Sequence, residues 1–176
     1  MFRQIMFTCA LLALHGCIDK SRGSADVRPA VACPEAGAAI DLCPDLQVKL
    51  LATAFHQAIG REPGVAAEPG HVFCLVELEW PKLPAGQIRQ LPTLVDGSGR
   101  SWPLHAPAEV AWRSMQPDLA TPDVRPSVAA GDRETLIFDL AASAAATGLQ
   151  LHFTAPCEEP PESTYFCLGK HLIVME

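Results

Sequence analysis

Residues 71–80 read His-Val-Phe-Cys-Leu-Val-Glu-Leu-Glu-Trp, and no other part of the chain alternates so regularly. On one side of this two-residue repeat every position is apolar: Val72, Cys74, Val76, Leu78 and Trp80. The other side begins apolar, at Phe73 and Leu75, and ends charged, at Glu77 and Glu79. Because successive side chains of a strand point to opposite faces of a sheet, the pattern predicts a β-strand. One face should be fully buried, and the other should be covered at its start and exposed at its end.

The composition around this strand indicates one β-rich domain with accessory segments. The chain has 176 residues, of which 16 are proline and 12 are glycine, and such frequent breaks favour short strands over long helices. Acidic residues outnumber Lys and Arg by 20 to 13, which gives a net charge of −7. This charge, without a run of basic residues, argues against nucleic acid as a partner and against a polybasic lipid-binding face.

Residues 1–17 carry the features of an export signal. Arg3 precedes an apolar run from Ile5 to Leu14 that is too short to span a bilayer permanently. The run ends in Leu-His-Gly-Cys at 14–17, which resembles the lipobox of bacterial lipoproteins. The resemblance implies that residues 1–16 are a signal peptide and that Cys17 becomes the lipidated N-terminus, anchored in the membrane by its acyl chains. An ordinary secretory leader, cut at Ala-Val-Ala at 30–32, is the alternative.

The residue after the lipidated cysteine indicates the destination. Ile18, where an acidic residue would retain a lipoprotein in the inner membrane, resembles the signal for sorting to the outer membrane. We therefore expect a cell-envelope protein, lipid-anchored in the outer membrane on its periplasmic or surface face. Residues 17–43 form the lipidated N-terminus and a linker, since they mix charge, Gly, Ser, Pro and Ala without periodicity.

Export to an oxidising compartment makes disulfides the default state of the remaining cysteines. Five lie outside the leader and the lipobox: Cys33, Cys43, Cys74, Cys157 and Cys167. The odd count leaves at least one thiol free or bonded to another molecule, and we expect it to be Cys74, on the apolar side of the central strand. A bond within the C-terminal extension, Cys157 to Cys167, would stabilise the fold by about 3 kcal/mol. Cys33 and Cys43 have the same spacing, and the crossed pairing between the two ends of the chain stays open. No C-x-x-C motif or closely spaced histidine pair occurs, so no metal site is expected.

The domain over residues 44–176 divides into seven or eight short strands. Besides 71–80, the apolar alternation predicts strands over 46–59 (where a helix is the competing interpretation), 87–95, 100–104, 133–140, 149–154 and 166–175, with a hairpin turn over 96–99. Leu136, Phe138 and Leu140 should point into the core, as should Leu149, Leu151 and Phe153. Short strands separated by frequent turns are typical of an all-β, antiparallel, two-sheet sandwich.

Four segments, 72–80, 94–102, 130–140 and 148–153, occur in an order that resembles a known family. It is the immunoglobulin-like domain of unknown function found on many bacterial lipoproteins and secreted antigens. The resemblance covers most of residues 46–155 and implies an immunoglobulin-like sandwich that serves as an extracytoplasmic interaction module, with no shared catalytic set. The proline-flanked turn at 81–84 and the cysteine-flanked C-terminal extension depart from the family pattern.

No catalytic constellation is visible, and no enzyme activity or cofactor is expected. Ser98 lies in Asp-Gly-Ser-Gly, which reads as a hairpin turn because a nucleophile elbow requires G-x-S-x-G between a strand and a helix. The long loop at 105–131 contains the candidate binding residues Trp112, Arg113 and Met115 on a short helical turn, and Trp and Arg are favoured at binding hot spots. The alternative is that Trp112 closes the open end of the sandwich.

These observations support three classes of function. The leading expectation is a lipid-anchored module, held to the membrane through Cys17, that binds an unidentified envelope protein or ligand without catalysis. The alternative is a structural or assembly lipoprotein whose edge strand pairs with a partner. A metal carrier or enzyme is the third and least supported class.

Overall fold

A computed structural model describes residues 33–34, 36–61, 63–84, 91–116, 128–154, 157 and 163–173 of the chain. Cys17 and the leader lie outside these residues, as do 85–90 of the predicted third strand and 117–127 of the long loop. Within the described part, no helix has the length and apolar character that a membrane span requires.

The chain is all-β with antiparallel sheets, as predicted. Its elements in chain order are β1 (Ala39–Cys43), β2 (Leu46–His56), β3 (Ala58–Ile59), β4 (Val65–Ala66), β5 (His71–Lys82), β6 (Thr93–Asp96), β7 (Ser101–Trp102), α1 (Ala106–Ser114), β8 (Arg133–Ala141), α2 (Ala142–Ala145), β9 (Leu149–Thr154) and β10 (Ser163–Gly169). The first sheet has the order β1-β2-β5-β8 and the second β10-β9-β6-β7, while β3 and β4 form a separate pair. One hydrophobic core lies between the two four-stranded sheets and takes side chains from both.

The central strand β5 has the two faces that its sequence predicts. Val72, Cys74, Val76, Leu78 and Trp80 are all buried in the core between the sheets. On the outer face, Phe73 and Leu75 are buried in a second, smaller cluster, whereas Glu77 is exposed. The change from apolar to charged residues along this face therefore marks where its cover ends.

The cover is α1, which the chain reaches by passing around an edge of the first sheet. Leu104 forms a bridge to Phe138 on β8, and the His105 amide donates to the Ile137 carbonyl at 2.8 Å. The helix then begins, with His105 Nδ1 accepting from the Ala108 amide at 3.1 Å. Ala108 packs with Phe73, Leu75 and Ile137 in the second cluster. This helix lies within the segment that the sequence suggested to be a long loop.

Several predicted boundaries need correction. The linker was expected to extend to Cys43, but Ala39–Cys43 is strand β1 and pairs with β2, so any linker ends before Ala39. The segment 46–59 is a strand as far as His56, and the competing helix is wrong. The last strand is Ser163–Gly169 rather than 166–175, because Gly169 adopts a positive φ of 84° where the chain leaves the sheet.

All four cysteines predicted to form disulfides do so, and Cys74 is free and buried. The favoured pairing of Cys157 with Cys167 and of Cys33 with Cys43 is wrong. The bonds are Cys33–Cys167 and Cys43–Cys157, with Cα separations of 5.6 and 5.9 Å, which is the crossed pairing. The reason is topological, since β1 and β10 are edge strands of different sheets. Cys167 on β10 bonds to the segment before β1, and Cys43 at the end of β1 bonds to the segment between β9 and β10.

Candidate functional site

The three binding candidates from the sequence lie on α1 or at its end, and all three are partly buried. Trp112 and Met115 pack against the second cluster, on the outer face of the first sheet. Trp112 therefore covers a sheet face and does not close the end of the sandwich. Its indole Nε1 is buried, and no described residue accepts a hydrogen bond from it.

Arg113 is used within the helix. Its Nη1 lies 3.6 Å from Oε2 of Glu109, one turn earlier, and the two side chains are only 12 % and 4 % exposed. A buried carboxylate requires such compensation, because an uncompensated buried charge is strongly destabilising. The three binding candidates therefore serve mainly to hold α1 on the sheet, and their side chains are little exposed to solvent.

The hairpin between β6 and β7 is organised by the Asp96 carboxylate. Its Oδ1 accepts from the Ser98 hydroxyl at 2.6 Å and from the Ser98 and Arg100 amides at 2.9 and 3.1 Å. Its Oδ2 accepts from the Trp102 indole at 3.1 Å. The Ser98 hydroxyl bond is the largest of the effects that hold the pKa of Asp96 below its usual value, against an opposing effect of burial. Ser98 is a turn residue, as predicted from its sequence context.

Three of the described histidines, His71, His105 and His171, each have a structural partner. His71 Nδ1 lies 2.9 Å from Asp139 Oδ1, His105 caps α1, and His171 Nε2 contacts the Leu168 carbonyl. Across the described ranges, no group of three or more His, Cys, Asp or Glu side chains is placed to hold a metal ion.

A groove on the outer face of the second sheet is a concave site lined by several polar side chains. We call it the outer groove; it has a volume of about 460 Å³. Its floor contains Val95, Gln150 and His152. These side chains point outward because their neighbours on β6 and β9, Leu94, Leu149, Leu151 and Phe153, point into the core.

Two turns that dock on each other form one wall of the outer groove. The Gly97 amide donates to Thr147 Oγ1 at 2.9 Å. A Cβ at Gly97 would lie 2.3 Å from the Thr147 carbonyl oxygen, so only glycine permits this approach. On another side, Lys170 runs over the second turn, since its Cγ is 3.6 Å from where a Cβ of Gly148 would lie.

The polar groups of the floor are fixed in position. His152 stacks on Tyr165 of the adjacent strand, with ring centroids 4.9 Å apart and an interplanar angle of 17°. His152 Nε2 lies 3.0 Å from Oε1 of Gln150. Burial lowers the pKa of His152, which favours its neutral form. No local motif in the sequence marks His152, because the groove is assembled from three separate segments of the chain, 95–99, 147–152 and 167–170.

Comparison with known proteins yields one likeness of fold. No family model matches the sequence, and no curated protein matches it significantly. The crystal structure of a conserved hypothetical protein from Bacillus anthracis superimposes with a TM-score of 0.53, at 16 % identity, over 67 % of this chain and 87 % of that one. The two chains share a fold. At this level of identity the likeness concerns architecture and assigns neither a ligand nor an activity.

Proposed function

We propose that the chain is a lipid-anchored, extracytoplasmic module with an immunoglobulin-like sandwich that binds a ligand or an envelope protein without catalysis. The crossed disulfides Cys33–Cys167 and Cys43–Cys157 carry the proposal. Structural disulfides form and persist in exported proteins and are rare in the cytosol. Together with the apolar leader and the lipobox-like residues 14–17, they support export followed by acylation of Cys17.

The contacts of the reactive side chains favour binding over catalysis. The Ser98 hydroxyl donates to Asp96 within a turn, and that carboxylate also receives the Trp102 indole. Among the described histidines, His71 pairs with Asp139 and His105 caps a helix. A nucleophile would require a base aimed at it, whereas these groups are aimed at structural partners.

The first disulfide limits how far the domain can lie from its anchor. Cys33 is bonded to Cys167 on the last strand, so only the 16 peptide units from Cys17 to Cys33 separate the lipid from the sandwich. Fully extended, they reach about 55 Å. The module is therefore held close to the membrane and presents its binding surface to components of the envelope.

Replacement of the acylated residue tests the anchor. We expect the wild-type chain to sediment with membranes after export and Cys17→Ser to appear in the soluble fraction, because the substitution removes the acylation site. Cys9→Ser is the matched control, since it also changes a cysteine of residues 1–17 and should sediment like wild type. Membrane retention of Cys17→Ser, or a soluble wild type, would count against lipid anchoring.

An assembly lipoprotein is the second candidate, and the position of β10 favours it. β10 is an edge of the second sheet as described, and the Cys167 amide points away from β9, to the Pro34 carbonyl at 2.9 Å. By antiparallel alternation, the amide of Tyr165 points to the same side. A partner strand could pair there, beyond the segment that Pro34 occupies.

Purification of the full chain from solubilised envelopes separates the two candidates. An assembly subunit brings down a stoichiometric partner that is lost in Tyr165→Pro, since proline removes the outward amide but is tolerated at a sheet edge. A binding module with an independent site purifies without such a partner. A partner that is lost in Trp112→Ala would instead place the interaction on α1.

A further inference from the structure

We propose that the outer groove is a carbohydrate site that recognises a sugar unit carrying a carboxylate, a hexuronic acid. The inference names a ligand for the proposed binding function and does not depend on lipid anchoring. The volume of the outer groove, about 460 Å³, lies within the range of small-molecule sites. The groove combines fixed polar groups, a stacked ring pair and a cation.

The floor offers the donor and acceptor pattern that sugar hydroxyls require. With Oε1 of Gln150 as acceptor, the proton of neutral His152 resides on Nε2. This arrangement leaves His152 Nδ1 as an acceptor and the Gln150 amide NH₂ as a donor, side by side on β9. Because each hydroxyl both donates and accepts, two adjacent hydroxyls of one sugar ring match this pair.

The floor is held ready for a ligand by its neighbours. Tyr165, on the adjacent strand, stacks on the imidazole of His152 and fixes its plane. Rotamers that are already fixed lose little entropy on binding, which improves the affinity available to a weak ligand such as a sugar.

The rim allows close approach of a rigid ring. Gly99, Gly148 and Gly169 line the groove and have positive φ values of 85°, 100° and 84°. A Cβ added at Gly99 would meet no atom within 4 Å, so the space above this turn is open. At Gly99, backbone without a side chain lets a ligand contact the turn directly, whereas Lys170 lies over Gly148.

The charges around the groove select an acid. Asp96 lines the groove, but its two oxygens already accept from Ser98, Arg100 and Trp102. Lys170 is exposed and contributes the one cationic side chain among the described lining residues. The Asp96 carboxylate keeps its charge but directs both oxygens to partners in its own turn, so Lys170 is the charged side chain left to pair with a ligand, and it favours a ligand that carries a carboxylate.

The test uses trigalacturonic acid and its methyl ester, which share a shape and differ in charge. Calorimetric titration of the detergent-solubilised full chain at low salt should show a preference for the acid of about fivefold, the value of an exposed ion pair. The preference should shrink as salt is added, because the pair is screened. Lys170→Gln should bind the acid and the ester equally. Lys82→Gln is the matched control, since Lys82 is exposed and pairs with Asp41 on the first sheet.

A second variant separates the sugar contacts from the charge. Gln150→Ala should weaken acid and ester alike while it leaves their ratio unchanged. Equal binding of the two ligands by wild type, or a preference that persists in Lys170→Gln, would overturn the assignment of the carboxylate. Absence of heat with both ligands at millimolar concentration would overturn the carbohydrate site, and the outcome of the Cys17→Ser fractionation would be unaffected.

Discussion

The crossed disulfides have an energetic signature that the alternative pairing cannot reproduce. The two bonds join cysteines that are 134 and 114 positions apart in the sequence, Cys33–Cys167 and Cys43–Cys157. The second bond therefore lies within the loop that the first one closes. Either bond alone restricts the unfolded chain by about 5 kcal/mol in the loop-entropy relation. Once one bond exists, the other closes a ring made only of the two eleven-residue segments 33–43 and 157–167, and it adds about 3 kcal/mol.

Three variants test whether one disulfide loop lies inside the other. Replacing Cys33 and Cys167 by Ser removes one bond, as does replacing Cys43 and Cys157, and the quadruple variant removes both. Each pair variant should lose about 3 kcal/mol of the free energy of unfolding, and the quadruple variant about 8 kcal/mol, which is more than the sum of the two pairs. Guanidinium unfolding followed by the fluorescence of the buried Trp80 and Trp102 measures these losses.

Bonds Cys33–Cys43 and Cys157–Cys167 would give a different result. Each pair variant would then break both bonds and would be as unstable as the quadruple variant. Pair variants that unfold together with the quadruple variant would therefore refute the crossed pairing. Native stability of most domains is 5–15 kcal/mol, so a quadruple variant that fails to fold, beside two folded pair variants, still supports it.

Three further outcomes are expected. In Asp96→Asn an amide NH₂ faces the Trp102 indole, donor against donor, so the variant should lose about 2 kcal/mol at pH 7. Folding lowers the pKa of Asp96, so its contribution to the free energy of unfolding is present above the unfolded pKa of about 3.9 and is lost as the pH falls through the folded pKa. Urea titrations should therefore show that the difference in stability between wild type and Asp96→Asn shrinks in acid. Trp112→Phe should lower the free energy of unfolding by less than about 1 kcal/mol, because the indole Nε1 has no described acceptor. Trp112→Ala should lower it by about 3 kcal/mol, because the side chain packs α1 against the second cluster. Urea unfolding measures both losses, and equal losses would contradict a packing role. Burial raises the pKa of Cys74 to about 12, so a thiol reagent at pH 8 should label it only after unfolding, and rapid labelling of the folded protein would contradict its burial.

The sequence was sufficient to predict those features that depend on neighbouring residues, such as the buried face of a strand or a tight turn. The alternation from Val72 to Trp80 predicted the buried face of β5, and the change from Leu75 to Glu77 predicted where its outer face becomes exposed. Asp96 to Gly99 predicted a tight turn for the same reason, since the residues that stabilise it are local. Periodicity and turn chemistry act over a few residues and are read directly from the chain.

The sequence was not sufficient to predict contacts between residues that are distant in the chain. The pairing of Cys33 with Cys167 depends on which strands form the sheet edges, and spacing alone favoured the short loops. For Trp112 the sequence suggested a binding residue or a plug at the end of the sandwich, because nothing local shows that α1 covers Phe73 and Leu75. The outer groove has no signature in the sequence for the same reason, since His152 and Lys170 come to line one groove only through the sheet and its turns.

Mass spectrometry of peptides from the native protein, purified from membranes without reductant, tests export, anchoring and fold together. We expect an N-terminal peptide that begins at Cys17 and carries acyl chains, with linked peptides that join Cys33 to Cys167 and Cys43 to Cys157. An unmodified Cys17 inside a longer peptide, or free thiols at all four of the disulfide-forming cysteines, would contradict a lipid-anchored sandwich that matures in an oxidising compartment.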